Sequence, residues 1–290
     1  MSNSKYSRII AGCMSWGSWG KQFSTEEMIQ QLNLTLEAGI TTFDHADIYG
    51  DYTTETQFGK ALKKSKVERE NIQLISKCGI QYVGTTRSNK IKHYNYSKDY
   101  ILWSVEQSLK KLETDYLDLL LLHRPSPLMH PDEINEAILI LKNQGKIIDF
   151  GVSNFTASQM DLVSDKTTIT ANQIEFSLTQ NVAMFNGILD KMMLKKIQPM
   201  CWSPLGIVFK EETAQTKRIQ KEIEKFAKKY QITEDAILLA WVLKHPAKVY
   251  PVIGTTNIER ILNAQKALEV DLELEDWFQL LVASQGHKVS

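Results

Sequence analysis

Three cysteines in 290 residues, at positions 13, 78 and 201, are odd in number and far apart. They exclude a disulfide framework and any CxxC metal or redox pair, and a reducing compartment is the simplest setting for them. A charge bias is also missing. The 34 Lys and Arg balance the 34 Asp and Glu, whereas a polyanion-binding surface normally carries a basic excess, so nucleic acid is not expected as a partner. Long apolar runs are absent too. The longest, Ala236–Leu243, is far short of the ~20 residues a bilayer span needs. The start, MSNSKYSRII, lacks the apolar stretch of a signal peptide. These absences point to a cytoplasmic protein with no membrane partner. The seven prolines are scattered and no Pro-, Gly- or Ser-rich linker divides the chain, so residues 1–290 read as a single domain. A GxGxxG turn is missing as well. The nearest match, GCMSWGSWG at Gly12–Gly20, has the wrong spacing, which argues against an open, doubly wound dinucleotide-binding sheet.

Alternation is what the chain does have. Short aliphatic and β-branched runs, each followed by a stretch of helical period, recur along its length. The strand-like runs are Ser7–Gly12, Thr41–Asp44, Asn71–Lys77, Leu117–His123, Ile147–Ser153, Thr170–Glu175, Met200–Ser203 and Val249–Ile253. Helices are predicted at Thr25–Ala38, Thr53–Lys64, Ser97–Leu112, Pro131–Gln144, Gln215–Tyr230 and Thr233–Lys244, with others between the remaining strands. Ser24 or Thr25 caps the first and Gly39 ends it, while Pro131 opens the fourth and Gly145 closes it. Eight strand ends about 34 residues apart fit eight βα units. The fold class expected is therefore α/β, a closed (β/α)8 TIM barrel.

Active sites of such barrels lie at the C-terminal ends of the strands. The second strand ends in Asp44, followed by His45, Asp47 and Tyr49. The third ends in Lys77 and the fourth in His123. One carboxylate, one phenol, one amine and one imidazole thus gather at three adjacent strand ends. Taken singly each has a bland reading: a buried ion pair for Asp44 and Lys77, a structural histidine for His123.

The ordered set FDHADIYG, SK, LLLLHRP, FGVSNF, NQIEFS, WSPLG and PVIGTTNIERI, spread over nearly the whole chain, resembles the aldo-keto reductase family. The stretches HRPSPLMHPDEINEA and GVSNFTASQ are most similar to its bacterial members typed as predicted oxidoreductases. The resemblance implies hydride transfer from NADPH to a small aldehyde or ketone, without a metal. It maps the four catalytic positions onto Asp44, Tyr49, Lys77 and His123. The chemistry suits that quartet. A carbonyl receiving hydride needs a proton, and a phenol of pKa ~10 gives one reluctantly. An ammonium beside Tyr49 would lower that pKa, and Asp44 would hold the ammonium charged and in place. His123 would donate a hydrogen bond to the carbonyl oxygen. His45 and Asp47 fall on no catalytic position of the family.

The resemblance also implies cofactor contacts. Ser153, Asn154 and Gln173 match the partners of the nicotinamide carboxamide, and Trp202 stands where the family stacks an aromatic on the nicotinamide ring. Ser203, Leu205 and Gly206 begin the loop after the seventh strand, where backbone N–H groups meet pyrophosphate. Gly254, Thr255, Thr256 and Asn257 lead into a helix whose N-terminus favours phosphate, with Arg260 suited to a 2′-phosphate or to adenine. Two departures, Gly254 where many relatives have lysine and Asn263-Ala264 where they have Glu-Asn, leave NADH as an alternative to NADPH. Asn263 is still counted with the cofactor residues. Gly12, Met14 and Trp16 are expected near the nicotinamide ribose or substrate, and Trp16, Trp19 and Tyr49 as an apolar mouth. Residues 79–96 are expected on the catalytic face as a flap, a cap or a solvated excursion. The three cysteines are expected to be inert. A monomer or weak homo-oligomer is expected. Two other readings differ in class: a nicotinamide-binding sensor or partner subunit with little turnover, and a metal-dependent hydrolase, which would need more strand-end ligands than His45 and His123 supply.

Overall fold

The computed structural model describes residues 5–289. The first four residues of the polar start, and Ser290 of the expected single domain, lie outside that range. Eight parallel strands form a closed barrel in chain order. They are β1 Ile10–Gly12, β2 Thr42–Asp44, β3 Gln73–Cys78, β4 Leu117–Leu122, β5 Ile147–Ser153, β6 Ala171–Glu175, β7 Gln198–Trp202 and β8 Tyr250–Ile253. The (β/α)8 expectation is borne out. By compactness the described chain divides into two units, one running to Gln173 and one from Ile174.

In the first unit the strands are largely buried under the ring of helices, and most of their buried residues are apolar. Leu74 and Ile75 of β3, all six residues of β4, and Phe150 and Val152 of β5 are buried. The register aligns the strand ends that matter. Gly12 pairs with Asp44, Asp44 with Ile75, Lys77 with Leu121, and Ser153 with Gln173. β1 is shorter than the run read from the sequence because Ser7 is occupied elsewhere. Its N–H donates to Thr42 Oγ1 (2.9 Å), and its Oγ accepts from Thr42 N–H and donates to the Ile9 carbonyl.

The helices of this unit begin where the sequence offers caps. In α1, Thr25–Glu37, Ser24 Oγ accepts from Glu27 N–H while the Glu27 carboxylate accepts from Ser24 N–H, a reciprocal box that satisfies two orphan donors. Gly39, at φ +81°, then ends it. Helix α2 spans Thr54–Ser65. Helix α3, Lys98–Leu112, starts at Ser97, and α4, Pro131–Asn143, carries Pro131 in its first turn. Helix α5 is Ala157–Ser164. Most of residues 83–93 is exposed, as a solvated excursion would be, but the ends of the 79–96 segment are held. Ile80–Gln81 and His93–Tyr94 pair antiparallel as a small hairpin, and Ile80, Gln81 and Tyr96 are buried.

In the second unit β7 pairs with β8, Met200 opposite Tyr250 and Cys201 opposite Pro251. Its helices are α6 Ile188–Lys195, α7 Ala214–Tyr230, α8 Glu234–Leu243, α9 Ile258–Lys266 and α10 Leu274–Gln285. α8 is the longest apolar run of the sequence and is buried nearly all round. Trp241 on α8 stacks on Trp277 of α10 at 5.0 Å and 7°, and each indole N–H donates to the other's backbone carbonyl. None of the described helices is long and apolar enough to cross a membrane.

Candidate active site

Alternation along β2 and β3 decides which side chains meet. Asp44 ends β2, buried, and Lys77 near the end of β3 is 1% exposed. Burial of an ammonium is costly unless it is paired, and Lys77 is fully paired. Its Nζ donates to Asp44 Oδ2 (2.7 Å), to the His45 carbonyl (2.8 Å) and to Tyr49 Oη (3.2 Å). Burial alone would lower the lysine, but Asp44 and Tyr49 hold it above its ordinary range. The Asp44 carboxylate also accepts from Gln173 Nε2 (2.9 Å) at Oδ1.

Tyr49 is half-buried, and its ring stands edge-on to that of His123 with centroids 6.1 Å apart. Sequence reasoning expects Lys77 to lower the phenol. Burial pushes it up, Lys77 pulls it back, and burial wins. His123 is buried, and its pKa falls well below the ordinary histidine value through burial and the nearby Lys77 charge. Its Nδ1 is buried with no hydrogen-bond partner. The structure thus brings Asp44, Tyr49, Lys77 and His123 together around one ammonium.

His45 and Asp47 face the other way. His45 is fully buried against Phe58 at 4.3 Å, with neither ring nitrogen bonded, and burial drops its pKa to about 3. Asp47 is buried, with Ser104 Oγ donating to its Oδ2 (3.2 Å). Burial and the neighbouring Glu55 raise it to about 7. Cys13, Cys78 and Cys201 are buried and in no disulfide, and burial pushes the first two far above the ordinary thiol range. Among the described residues no three His, Cys, Asp or Glu side chains converge to hold a metal.

The expected aromatic mouth needs one correction. Trp16 is 1% exposed and packs on Phe23, Phe43 and Phe58, so it fills the space behind the barrel wall. Trp19 does approach Tyr49, at 6.2 Å, and meets Tyr82 of the hairpin segment at 5.1 Å. Tyr82 was hidden in a loop of no periodicity. Met14 is 51% exposed just beyond Gly12.

Ser153 Oγ donates to the Gln173 carbonyl (2.9 Å) and accepts from Asn154 Nδ2 (2.8 Å). Gln173 therefore belongs as much to Asp44 as to any ligand, a bond across 129 residues that no local signal announces. In the second unit, Trp202 ends β7 half-buried, and Ser203 has φ +50°. Leu205 is half-buried, and Gly206, at φ +57°, donates its N–H to the Ser203 carbonyl. A Cβ on Gly206 would lie 1.9 Å from Thr179 Oγ1, which itself accepts from Ile207 N–H. After β8, Gly254, Asn257 and Arg260 are exposed and Thr255 and Thr256 half-exposed. Asn257 caps α9 by accepting from Arg260 N–H, and Thr255 Oγ1 accepts from Asn257 N–H. Asn263, one turn further, is half-buried.

The Aldo/keto reductase family model matches residues 8–281. The chain belongs to the aldo/keto reductase family. Among relatives, YcsN of Bacillus subtilis, named an uncharacterized oxidoreductase, is 41% identical across 98% of this chain and 96% of its own length. A protein of Agrobacterium fabrum named 6-dehydroglucose reductase is 37% identical over 98% and 96%. A thermostable aldo-keto reductase solved with the inhibitor epalrestat superposes with a TM-score of 0.80 at 27% identity, over 95% of this chain and 94% of that one. An aldo/keto reductase of Klebsiella pneumoniae solved with NADP and acetate gives 0.78 at 26% identity, over 94% and 89%. The chain is thus an oxidoreductase of this family on its sequence as well as its fold.

Proposed function

We propose that this enzyme reduces a small aldehyde or ketone to the alcohol, with NADPH as hydride donor and Tyr49 as general acid, residues 1–290 working as one catalytic domain. The carrying observation is the Lys77 ammonium, bonded at once to Asp44 and to Tyr49 Oη. An ammonium there stabilises the phenolate that proton donation leaves behind, so the proton passes more readily to a nascent alkoxide. Asp44 and Gln173 keep the ammonium charged and aimed.

His123 orients the carbonyl. It is neutral, so one ring nitrogen carries hydrogen and the other a lone pair. Nδ1 is buried and unpartnered. With Nδ1 shut away from any partner, Nε2 is the ring nitrogen we assign to donate to the substrate oxygen.

Features of the chain fit a dinucleotide phosphate. The backbone at Gly206 is bare because any side chain there would strike Thr179, and Gly254 opens onto empty space. The N-terminus of α9, with Thr255 and Thr256 before it, favours an anion. Ser203, Leu205, Asn257, Arg260 and Asn263 in the second unit are the residues we assign to the phosphates and adenosine. Ser153, Asn154, Gly12 and Met14 in the first are assigned to the nicotinamide end, and in the second unit Trp202 is the aromatic the resemblance assigns to ring stacking. When bound, the dihydronicotinamide supplies the hydride. The relative named 6-dehydroglucose reductase and the neighbour solved with NADP support this reading.

The test is NADPH oxidation with a panel of aldehydes, ketones and a 6-aldehydo sugar, wild type against Tyr49→Phe. The variant is expected to lose roughly 10²–10⁴-fold in kcat while binding NADPH unchanged. Wild-type turnover by Tyr49→Phe removes the phenol from the mechanism.

A further inference from the structure

The residues just after Tyr49 occupy an unfavourable conformation. Gly50 (φ +61°), Asp51 (φ +55°) and Tyr52 (φ +67°) are left-handed in succession. That region is disfavoured for every residue but glycine, with Asp and Asn the best tolerated of the rest. Two successive non-glycine residues there, Asp51 and Tyr52, persist only where the surroundings over-determine them.

The surroundings here are the 79–96 hairpin. Asp51 Oδ2 accepts from Thr85 N–H (2.7 Å), Thr85 Oγ1 (2.8 Å) and Thr86 N–H (3.1 Å), and Thr86 Oγ1 donates to the Asp51 carbonyl (2.7 Å). Tyr52 Oη accepts from Tyr82 N–H (2.8 Å) and donates to the Ile80 carbonyl (3.3 Å). The Arg87 guanidinium lies 3.6 Å above the Tyr52 ring. Behind the turn, Thr53 Oγ1 donates to the Gly50 carbonyl. The fit is tight, since a Cβ on Gly84 would sit 2.1 Å from Asp51 Oδ1. Tyr49 itself packs against the same cluster of Ala46, Ile48, Tyr52 and Ile80.

The geometry points to Asp51 as a positioning residue for Tyr49. By tying the strained turn to Thr85 and Thr86 it holds the phenol within reach of Lys77, and the hairpin is the anchor of the general acid. The inference rests on the reading of Tyr49 given above. A rival explanation is available: Asp51 is present only because it tolerates positive φ. The two separate cleanly by substitution. Asp51→Asn keeps both an acceptor and the left-handed tolerance. Asp51→Gly keeps the backbone freedom and loses the acceptor. Gly84→Ala attacks the clamp from the hairpin side.

The experiment measures kcat, KM for carbonyl, NADPH Kd and amide hydrogen exchange for wild type and these three variants. We expect Asp51→Asn to stay within about threefold of wild type in kcat. Asp51→Gly and Gly84→Ala should lose at least tenfold in kcat at unchanged NADPH Kd, with faster exchange confined to residues 49–54 and 82–88. Asp51→Gly with wild-type kcat and wild-type exchange overturns the clamp. So does a kcat loss that merely follows a loss of NADPH binding. If wild type turns over no carbonyl, the reductase reading fails on its own, and the exchange comparison still decides whether Asp51 holds the turn.

Discussion

Lys77 Nζ lies 3.2 Å from Tyr49 Oη and 2.7 Å from Asp44 Oδ2, so one buried ammonium answers to a phenol and a carboxylate together. The two duties differ in kind. In the proposed mechanism the bond to Tyr49 serves the proton transfer. The bond to Asp44 makes a lysine that is 1% exposed tolerable at all.

Removing one partner should therefore cost more than removing both. Lys77→Met leaves the Asp44 carboxylate buried with only Gln173 to answer it, at a cost of about 3–5 kcal/mol. The double variant Asp44→Asn, Lys77→Met leaves no orphan charge. Urea denaturation is expected to find it more stable than Lys77→Met alone, while both variants lose carbonyl reduction. A double variant less stable than the single would show that the Asp44 carboxylate is not the orphan charge that destabilises Lys77→Met.

The pH profile of reduction follows from the two shifted groups. Burial holds the Tyr49 phenol above its ordinary value, so its proton is retained through neutral and mildly alkaline pH. His123 stays neutral because burial and Lys77 hold it well below its ordinary value. The rate of reduction should then be flat from about pH 6 to 9, with no histidine limb, and fall only where a phenol ionises. Alcohol oxidation needs the phenolate and should rise with pH over the same range. Initial rates in both directions check this, and an acid limb near pH 6.5 that vanishes in His123→Gln contradicts it.

Much of this was legible in the sequence. The strands announce themselves because a strand buried on both faces is nearly all apolar, as Leu117–Leu122 is but for Asp118. Asp44, Lys77 and His123 stand out as polar residues where such runs stop. What was illegible is set by tertiary bonds. The hairpin strands are two residues each, too short for alternation, and the segment between them is fixed by Asp51 across more than thirty positions. Trp16 and Trp19 are alike in sequence, yet one fills the core and the other reaches Tyr49. No propensity reports that Asp51 and Tyr52 are left-handed.

Behind the site, Asp47 and Glu55 form a buried acidic pair on the outer face of β3. Ser76 and Ser108 bond Glu55, which burial raises, and Asp47 is held up to about 7. An unfolded aspartate ionises near pH 4, so stability falls as pH rises from about 4 to about 7 and levels off above. The loss is on the order of 4 kcal/mol. Asp47→Asn removes the titration but leaves an amide N–H where Oδ1 has no partner, costing about 1–3 kcal/mol. The variant is thus expected to be more stable than wild type by about 1–3 kcal/mol at pH 8 and no more stable at pH 4. Thermal or urea unfolding at the two pH values decides it, and a gain that is the same at both would assign the effect to packing instead.

Cofactor preference is the remaining question the second unit poses. Arg260 is the charged residue we place at the 2′-phosphate, and a charge-assisted hydrogen bond is worth about 1.5–3 kcal/mol, roughly 10–100-fold in affinity. Arg260→Ala should weaken NADPH by that factor and leave NADH nearly untouched. Gly254 offers the converse change. Gly254 is exposed and nothing lies within 4 Å of a Cβ built there, so a lysine side chain can start from this position without a clash. Its ammonium would sit beside the anion-favouring N-terminus of α9, and a flexible point charge next to a phosphate should raise the NADPH-to-NADH ratio of affinities about tenfold. Tryptophan-fluorescence titration of both dinucleotides against wild type, Arg260→Ala and Gly254→Lys measures these ratios. Equal losses for NADPH and NADH in Arg260→Ala would move that guanidinium off the 2′-phosphate and onto the adenine ring, which both dinucleotides share.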